Sequence, residues 1–153
     1  MGGYVALLFA KKYPQRVDRI ITLATKLYWD ETTAAKEIKM LQPETIEEKL
    51  PAFAAELEKR HAPLNWKEQL LQTQQLLTNL GKQNSLDITD YKNILTPCLL
   101  MLGDRDKMVT LDETVNVYHA LQNGMLAVLP QTSHPIEKAD PLLLKFYMER
   151  FLK

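Results

Sequence analysis

The sequence has a single cysteine, Cys98, among 153 residues. One thiol excludes an intrachain disulfide framework and is compatible with a reducing compartment. Long hydrophobic runs are also missing. No stretch approaches the roughly 18 apolar residues needed to span a bilayer, so no membrane span is expected. Charge of one sign is missing too, because 19 Lys and Arg balance 19 Asp and Glu. Without clustered basic residues there is no electrostatic footprint for nucleic acid. The opening stretch, residues 1–10, is apolar, yet it has no basic region before it and no small-x-small cleavage site after it. It does not read as a signal peptide. Met1-Gly2 also fails the myristoylation pattern, which asks for Ser or Thr where this chain has Ala6. The expectation is a soluble cytoplasmic protein of one domain, long enough for a real hydrophobic core.

What is present divides into three segments, without repeats or a low-complexity linker. Residues 4–13 read as a helix, with Val5, Leu8, Phe9 and Lys12 at helical spacing and Pro14 as the stop. Gly2 and Gly3 are poor helix-interior residues but let a backbone lie close to a neighbouring strand. Residues 19–25 follow as a short β-branched strand whose near-continuous apolar character suits a parallel strand covered on both faces. From about Tyr28 to Leu80 the pattern is helical. One helix spans 32–41. A second starts at Pro43 with Glu44, Glu47 and Glu48 near its positive end and Ile46, Leu50, Phe53, Ala54 and Leu57 as its stripe. A third starts at a cap on Asn65 and runs through Trp66, Leu70, Leu71, Leu76 and Leu77 to Gly81. This excursion is too long for an ordinary crossover, and residues 28–88 are expected to be an inserted lid.

The last segment returns to an α/β rhythm. Residues 98–102 form a buried strand after Pro97, and Thr110 with Glu113 forms a capping box opening a helix through Val115, Tyr118 and Leu121. Residues 125–129 form a third strand, and residues 141–152 a closing helix with Leu143, Leu144, Tyr147 and Phe151 inward. Such alternation implies parallel strands with right-handed crossovers.

Two loops then carry the chemistry. Gly103-Asp104-Arg105-Asp106 follows one strand and Pro130-Gln131-Thr132-Ser133-His134 follows the next, so both reach the carboxyl edge where open α/β sheets place their sites. A carboxylate beside a histidine there fixes its tautomer and stabilises the imidazolium formed when a hydroxyl is deprotonated. From these residues alone, a catalytic pair, ordinary loop polarity and metal binding all stay open. Metal is the weakest, because His61 and His119 fall on remote helices without ligand spacing.

Met1-Gly2-Gly3-Tyr4-Val5-Ala6-Leu7, residues 97–109 and residues 128–137 together resemble a serine α/β-hydrolase of the lidded esterase and lipase-like group. The resemblance covers essentially the whole chain and is weakest in residues 28–88. It implies a partial α/β-hydrolase fold, a three-stranded parallel sheet with flanking helices and an inserted helical lid. It implies Asp106 as the acid, with Asp104 as competitor, and His134 as the general base. The order of nucleophile, acid and histidine also agrees. Gly2 fills the last glycine of the G-x-S-x-G elbow, which places the nucleophilic serine immediately before Met1 and makes Met1 the residue whose amide serves the oxyanion hole. A small acyl or ester substrate is implied, and no cofactor or metal.

Loss of a triad nucleophile costs on the order of 10⁶-fold in rate, and loss of an oxyanion donor on the order of 10²- to 10³-fold more. The expectation is a chain without ordinary turnover. Substitutes are poor: Ser85 lies in a polar loop, Ser133 is sequence-adjacent to His134, and Cys98 falls in a strand interior. Tyr28 and Trp29 read either as lid packing or as a lining for an apolar substrate group, and Trp66 as a helix-packing anchor. The strand at 19–25 would have a free apolar edge, so a homo-oligomer covering that edge is expected.

Overall fold

The computed structural model describes residues 1–153. Its sheet is three-stranded and parallel, in the order β1 (Ile20–Leu23), β2 (Cys98–Gly103), β3 (Gly124–Leu129). Ile20 stands opposite Cys98 and Cys98 opposite Gly124. All six residues of β2 are buried, as a central strand covered on both faces requires. One face packs Leu99, Met101 and Ala127 against Phe151, with Ile21, Leu23, Leu144 and Tyr147 at its margin. The last three belong to β1's end and to α8 (Pro141–Leu152), whose bounds match the sequence pattern.

Helix α1 (Gly2–Lys12) buries Tyr4, Leu7 and Ala10. It begins two residues before the apolar periodicity does. At Gly3 a Cβ would run into the Thr25 side chain, so the first turn of α1 lies directly on the exit of β1, whereas a Cβ at Gly2 would meet nothing within 4 Å. The close approach expected of both glycines belongs to Gly3 alone. β1 is shorter than the β-branched run because Ala24 adopts φ 50°, a left-handed conformation that ends the extended strand. Arg19, expected inside the strand, instead donates to the Phe151 carbonyl and lies 5.8 Å above that ring.

The chain divides into two compact units, residues 1–28 with 86–153, and residues 29–85. In the second, α2 (Glu31–Lys39) is capped by Asp30, whose side chain accepts from the Thr33 N–H at 2.6 Å. The single helix expected after Pro43 is two helices, α3 (Pro43–Lys49) and α4 (Pro51–His61). Pro51 has no N–H to donate and its ring collides with the preceding turn, so it restarts the helix at its own N1 position. Leu50 and Phe53 consequently leave the expected stripe and are 55% and 43% exposed, while Ile46, Ala54 and Leu57 pack on Trp66.

Helix α5 (Trp66–Lys82) starts at the Asn65 cap but runs past Gly81. A Cβ there would lie 2.8 Å from the Ala34 Cβ and 3.0 Å from the Asp30 carbonyl oxygen, so this glycine lets α2 approach α5 and does not stop the helix. Of the leucines on its apolar pattern Leu77 is buried, whereas Leu71 and Leu76 are exposed, and Leu80 is buried as well. Trp29 is buried and Tyr28 exposed.

The polar loop expected around Ser85 leads into a short helix, α6 (Ile88–Lys92), opened by an Asp87–Asp90 capping box. Its Tyr91 is buried and donates to the Leu27 carbonyl at 2.9 Å; burial raises its phenol well above the ordinary range. Helix α7 (Leu111–Ala120) opens at the Thr110–Glu113 box. No helix is long and apolar enough to cross a membrane.

Candidate active site

β2 ends at Gly103 and β3 at Leu129, and these residues stand opposite each other in the sheet. The loops that follow leave the same edge and interlock through their backbones. The Asp104 N–H donates to the Leu129 carbonyl and the Arg105 N–H to the Thr132 carbonyl, both at 3.0 Å. Gly103 is required by this arrangement, since a Cβ there would collide with the Thr132 carbonyl oxygen. Gln131 takes φ 52° to turn the second loop back over the first. In the sequence Gly103 and Thr132 read only as members of the two loops, because their packing role exists only once two strands are side by side.

The two aspartates have different tasks. The Asp104 carboxylate accepts the Thr132 N–H at 3.1 Å and lies 3.6 Å from the Arg105 Nε. Desolvation pushes its pKa up, but the N–H groups of Gln131 and Thr132 and the Arg105 charge outweigh that and hold it below the ordinary carboxylate range. Asp104 therefore anchors the histidine loop. The Asp106 side chain is only 1% exposed, and its Oδ1 accepts two N–H groups, from Met108 and Val109, each at 2.8 Å. That double grip turns Oδ2 toward His134, whose Nδ1 lies 2.9 Å away. An ionised carboxylate can only accept, so Nδ1 carries the proton and the lone pair of the neutral ring is on Nε2. The His134 side chain is 32% exposed. Chemically such a pair can serve as a tautomer-fixed base with a buried counter-charge for its protonated form.

The remaining candidates are spread out. Met1 is the N-cap residue of α1, exposed, with its carbonyl accepting from the Val5 N–H at 3.1 Å. Because Gly3 packs on Thr25, this helix start lies at the carboxyl end of β1, on the edge shared with the two loops. Ser85 is exposed and Ser133 half-buried. Cys98 is fully buried at the start of β2 with its Sγ on the Thr96 carbonyl, and burial pushes its thiol up to about 11. Such a thiol is not a nucleophile at neutral pH. His61 and His119 lie on α4 and α7, and nowhere do three or more His, Cys, Asp or Glu side chains converge as metal ligands.

No protein-family model and no curated protein matches the sequence. Solved structures match its fold. A thermophilic esterase from Thermogutta terrifontis, with malate bound, is 22% identical and superposes with a TM-score of 0.65, over 99% of this chain and 61% of its own. NosK from Streptomyces actuosus gives 18% identity and a TM-score of 0.73, over 98% of this chain and 64% of its own. A serine hydrolase involved in carbazole degradation, CarC, gives 14% identity and 0.69, over 99% and 60%. At these identities the likeness is one of fold. The chain has a partial α/β-hydrolase architecture, a three-stranded parallel sheet with flanking helices and an inserted helical region, and spans about three fifths of the length of these structures.

Proposed function

We propose that this chain carries the acid and histidine of a serine-type acyl hydrolase, with His134 as general base and Asp106 as the group that orients and counter-charges it. Residues 28–88 are then the lid insertion of that domain. The observation that carries this reading is the 2.9 Å contact between His134 Nδ1 and Asp106 Oδ2, made by an almost fully buried carboxylate held by two backbone N–H groups. An esterase and a serine hydrolase among the structures of like fold favour a carboxylic-ester or related acyl substrate.

In such a site His134 Nε2 removes the proton from the attacking hydroxyl, and the imidazolium so formed is stabilised by Asp106. The hydroxyl belongs to a serine outside these 153 residues, and the Met1 amide, one residue after it, belongs to the oxyanion hole. The 153-residue chain expressed alone supplies no nucleophile to His134. It is inactive by itself. A panel of p-nitrophenyl esters tests this, with His134→Ala as control. The expected result is no difference between the two proteins, and turnover that disappears with His134 overturns the inactivity. An in-frame G-x-S coding run directly upstream of Met1 is the expected genomic finding. Its absence removes the support drawn from the elbow.

A second reading is a self-associating module derived from a hydrolase. It is favoured by the unpaired outer edge of β1, which borders a groove of about 440 Å³ lined by Val5, Ala6, Phe9, Val17, Ile20 and Ile21. Val5 and Phe9 continue on α1 into an exposed i, i+4 stripe with Met1 and Tyr13. Free apolar edges pair with other chains. Light scattering at micromolar concentration is expected to give a dimer that Phe9→Glu converts to monomer; a wild-type monomer removes this reading.

A further inference from the structure

Lys26 follows β1 closely in the chain and lies 82 residues before Met108, yet its Nζ donates to the Met108 carbonyl at 2.5 Å. The side chain is 16% exposed, and its other partner, Glu113 Oε2, is 3.5 Å away. A mostly dehydrated ammonium needs such partners.

The Met108 carbonyl belongs to the same peptide group as the Val109 N–H, which donates to Asp106 Oδ1 at 2.8 Å. One planar peptide thus stands between an ammonium on its oxygen side and a carboxylate on its hydrogen side. Hydrogen bonds in such a chain polarise one another and strengthen together. The series runs from Lys26 through the 108–109 peptide to Asp106, and from Asp106 Oδ2 to His134 Nδ1 at 2.9 Å.

Glu113 fixes the head of the series. Its Oε1 accepts the Leu27 N–H at 3.0 Å, and its Oε2 accepts both the N–H and the hydroxyl of Thr110 at 3.2 Å. The carboxylate that caps α7 therefore also locks the lysine to the segment following β1.

We infer that Lys26 is a positioning residue for the acid–histidine pair. It acts through the 108–109 peptide, holding the acid loop so that Asp106 stays pressed against the His134 ring. The inference rests on the proposed acid–histidine reading, and the test separates the two.

The test is low-temperature proton NMR of the full chain with ¹⁵N-labelled histidine, following the Nδ1 proton of His134. Wild type is expected to show a downfield ¹⁵N-coupled resonance that both Asp106→Asn and His134→Gln abolish. Lys26→Met is expected to speed its exchange with water about tenfold, the scale of one lost charge-assisted hydrogen bond. Lys26→Arg restores slow exchange, and Lys67→Met, an equal charge change elsewhere, leaves it unaltered. Thermal melts establish that each variant is folded at the measuring temperature, and Lys26→Gln replaces the methionine variant if that one melts.

Absence of the resonance in wild type overturns the acid–histidine reading itself. A resonance whose exchange is unchanged in Lys26→Met or Lys26→Gln overturns the role of Lys26 and leaves that reading standing. An arginine variant that exchanges as fast as the methionine variant, or a Lys67→Met variant that does so, also overturns it.

Discussion

In the α/β unit β2 is buried at every position, whereas each helix of residues 29–85 buries one stripe and leaves much of its apolar surface in solvent. Met40, Leu50, Phe53, Leu64, Leu71 and Leu76 are all substantially exposed there, and the cluster around Trp66 holds only Ile46, Ala54 and Leu57 as buried members. The difference follows from geometry. A central strand meets neighbours on two faces and two edges, so its position is determined by contacts far away in sequence. A helix on a small bundle meets them along one stripe. Fixed strands deliver fixed loops, and the interlocked loops after β2 and β3 hold Asp106 and His134 with main-chain hydrogen bonds. The helical unit offers no comparable constellation of polar groups.

The sharpest test of this contrast is truncation of equivalent side chains in the two units. Leu100→Ala, at a fully buried position in the middle of β2, is expected to cost about 4 kcal/mol, and Leu57→Ala about 2 kcal/mol, within the span for buried leucines. Urea denaturation measures both, and a larger loss at Leu57 breaks the comparison.

The next effect separates two glycines of the α/β unit. Gly103→Ala forces the histidine loop away from the acid loop and is expected to cost about 2 kcal/mol, as overpacking does. Gly2→Ala meets open space in the first turn of α1 and is expected to stabilise by up to about 1 kcal/mol. Equal shifts in melting temperature would show that the loops are not interlocked.

The smallest effect is electrostatic. Lys11 lies 2.5 Å from Asp90, and that hydrogen bond, with the Asp87 N–H, lowers the Asp90 pKa although desolvation opposes it. A carboxylate whose folded pKa is depressed stabilises the fold above its unfolded pKa, and the contribution is lost as pH falls through the folded value. Asp90→Asn is therefore expected to cost below about 1 kcal/mol at pH 7, because the pair is solvent-screened. The difference from wild type should vanish on acidification from about pH 5 toward pH 2. A difference that grows on acidification contradicts the sign.

The readable elements were those whose local pattern and long-range environment agree. α8 has the bounds its periodicity gives, the Thr110–Glu113 box opens α7 with both of its reciprocal hydrogen bonds, and the apolar run at 98–102 is the central strand with one added glycine. Pro51 was present in the sequence as a helix breaker, yet the apolar spacing across it suggested one continuous helix. Gly81 looked like a helix stop, and its true reason for being glycine is the passage of α2. The short α6 is not legible from periodicity, since five residues carry too little of it, and its one local signal is Asp87 and Asp90 at capping distance.

By itself the sequence determined that strands alternate with helices, that two successive strands end in loops bearing Asp104, Asp106 and His134, and that these loops share one edge of a parallel sheet. Those conclusions depend on period, turn chemistry and chain direction, which are local. Only the tertiary structure decided which aspartate faces the ring, because Asp104 is taken by the Thr132 N–H while Asp106 is turned inward by two N–H groups. Only it brought Lys26 to the far side of the peptide that holds Asp106. Nothing in the neighbourhood of residue 26 announces that contact, since its partner lies 82 residues away and is reached through the pairing of β1 with β2.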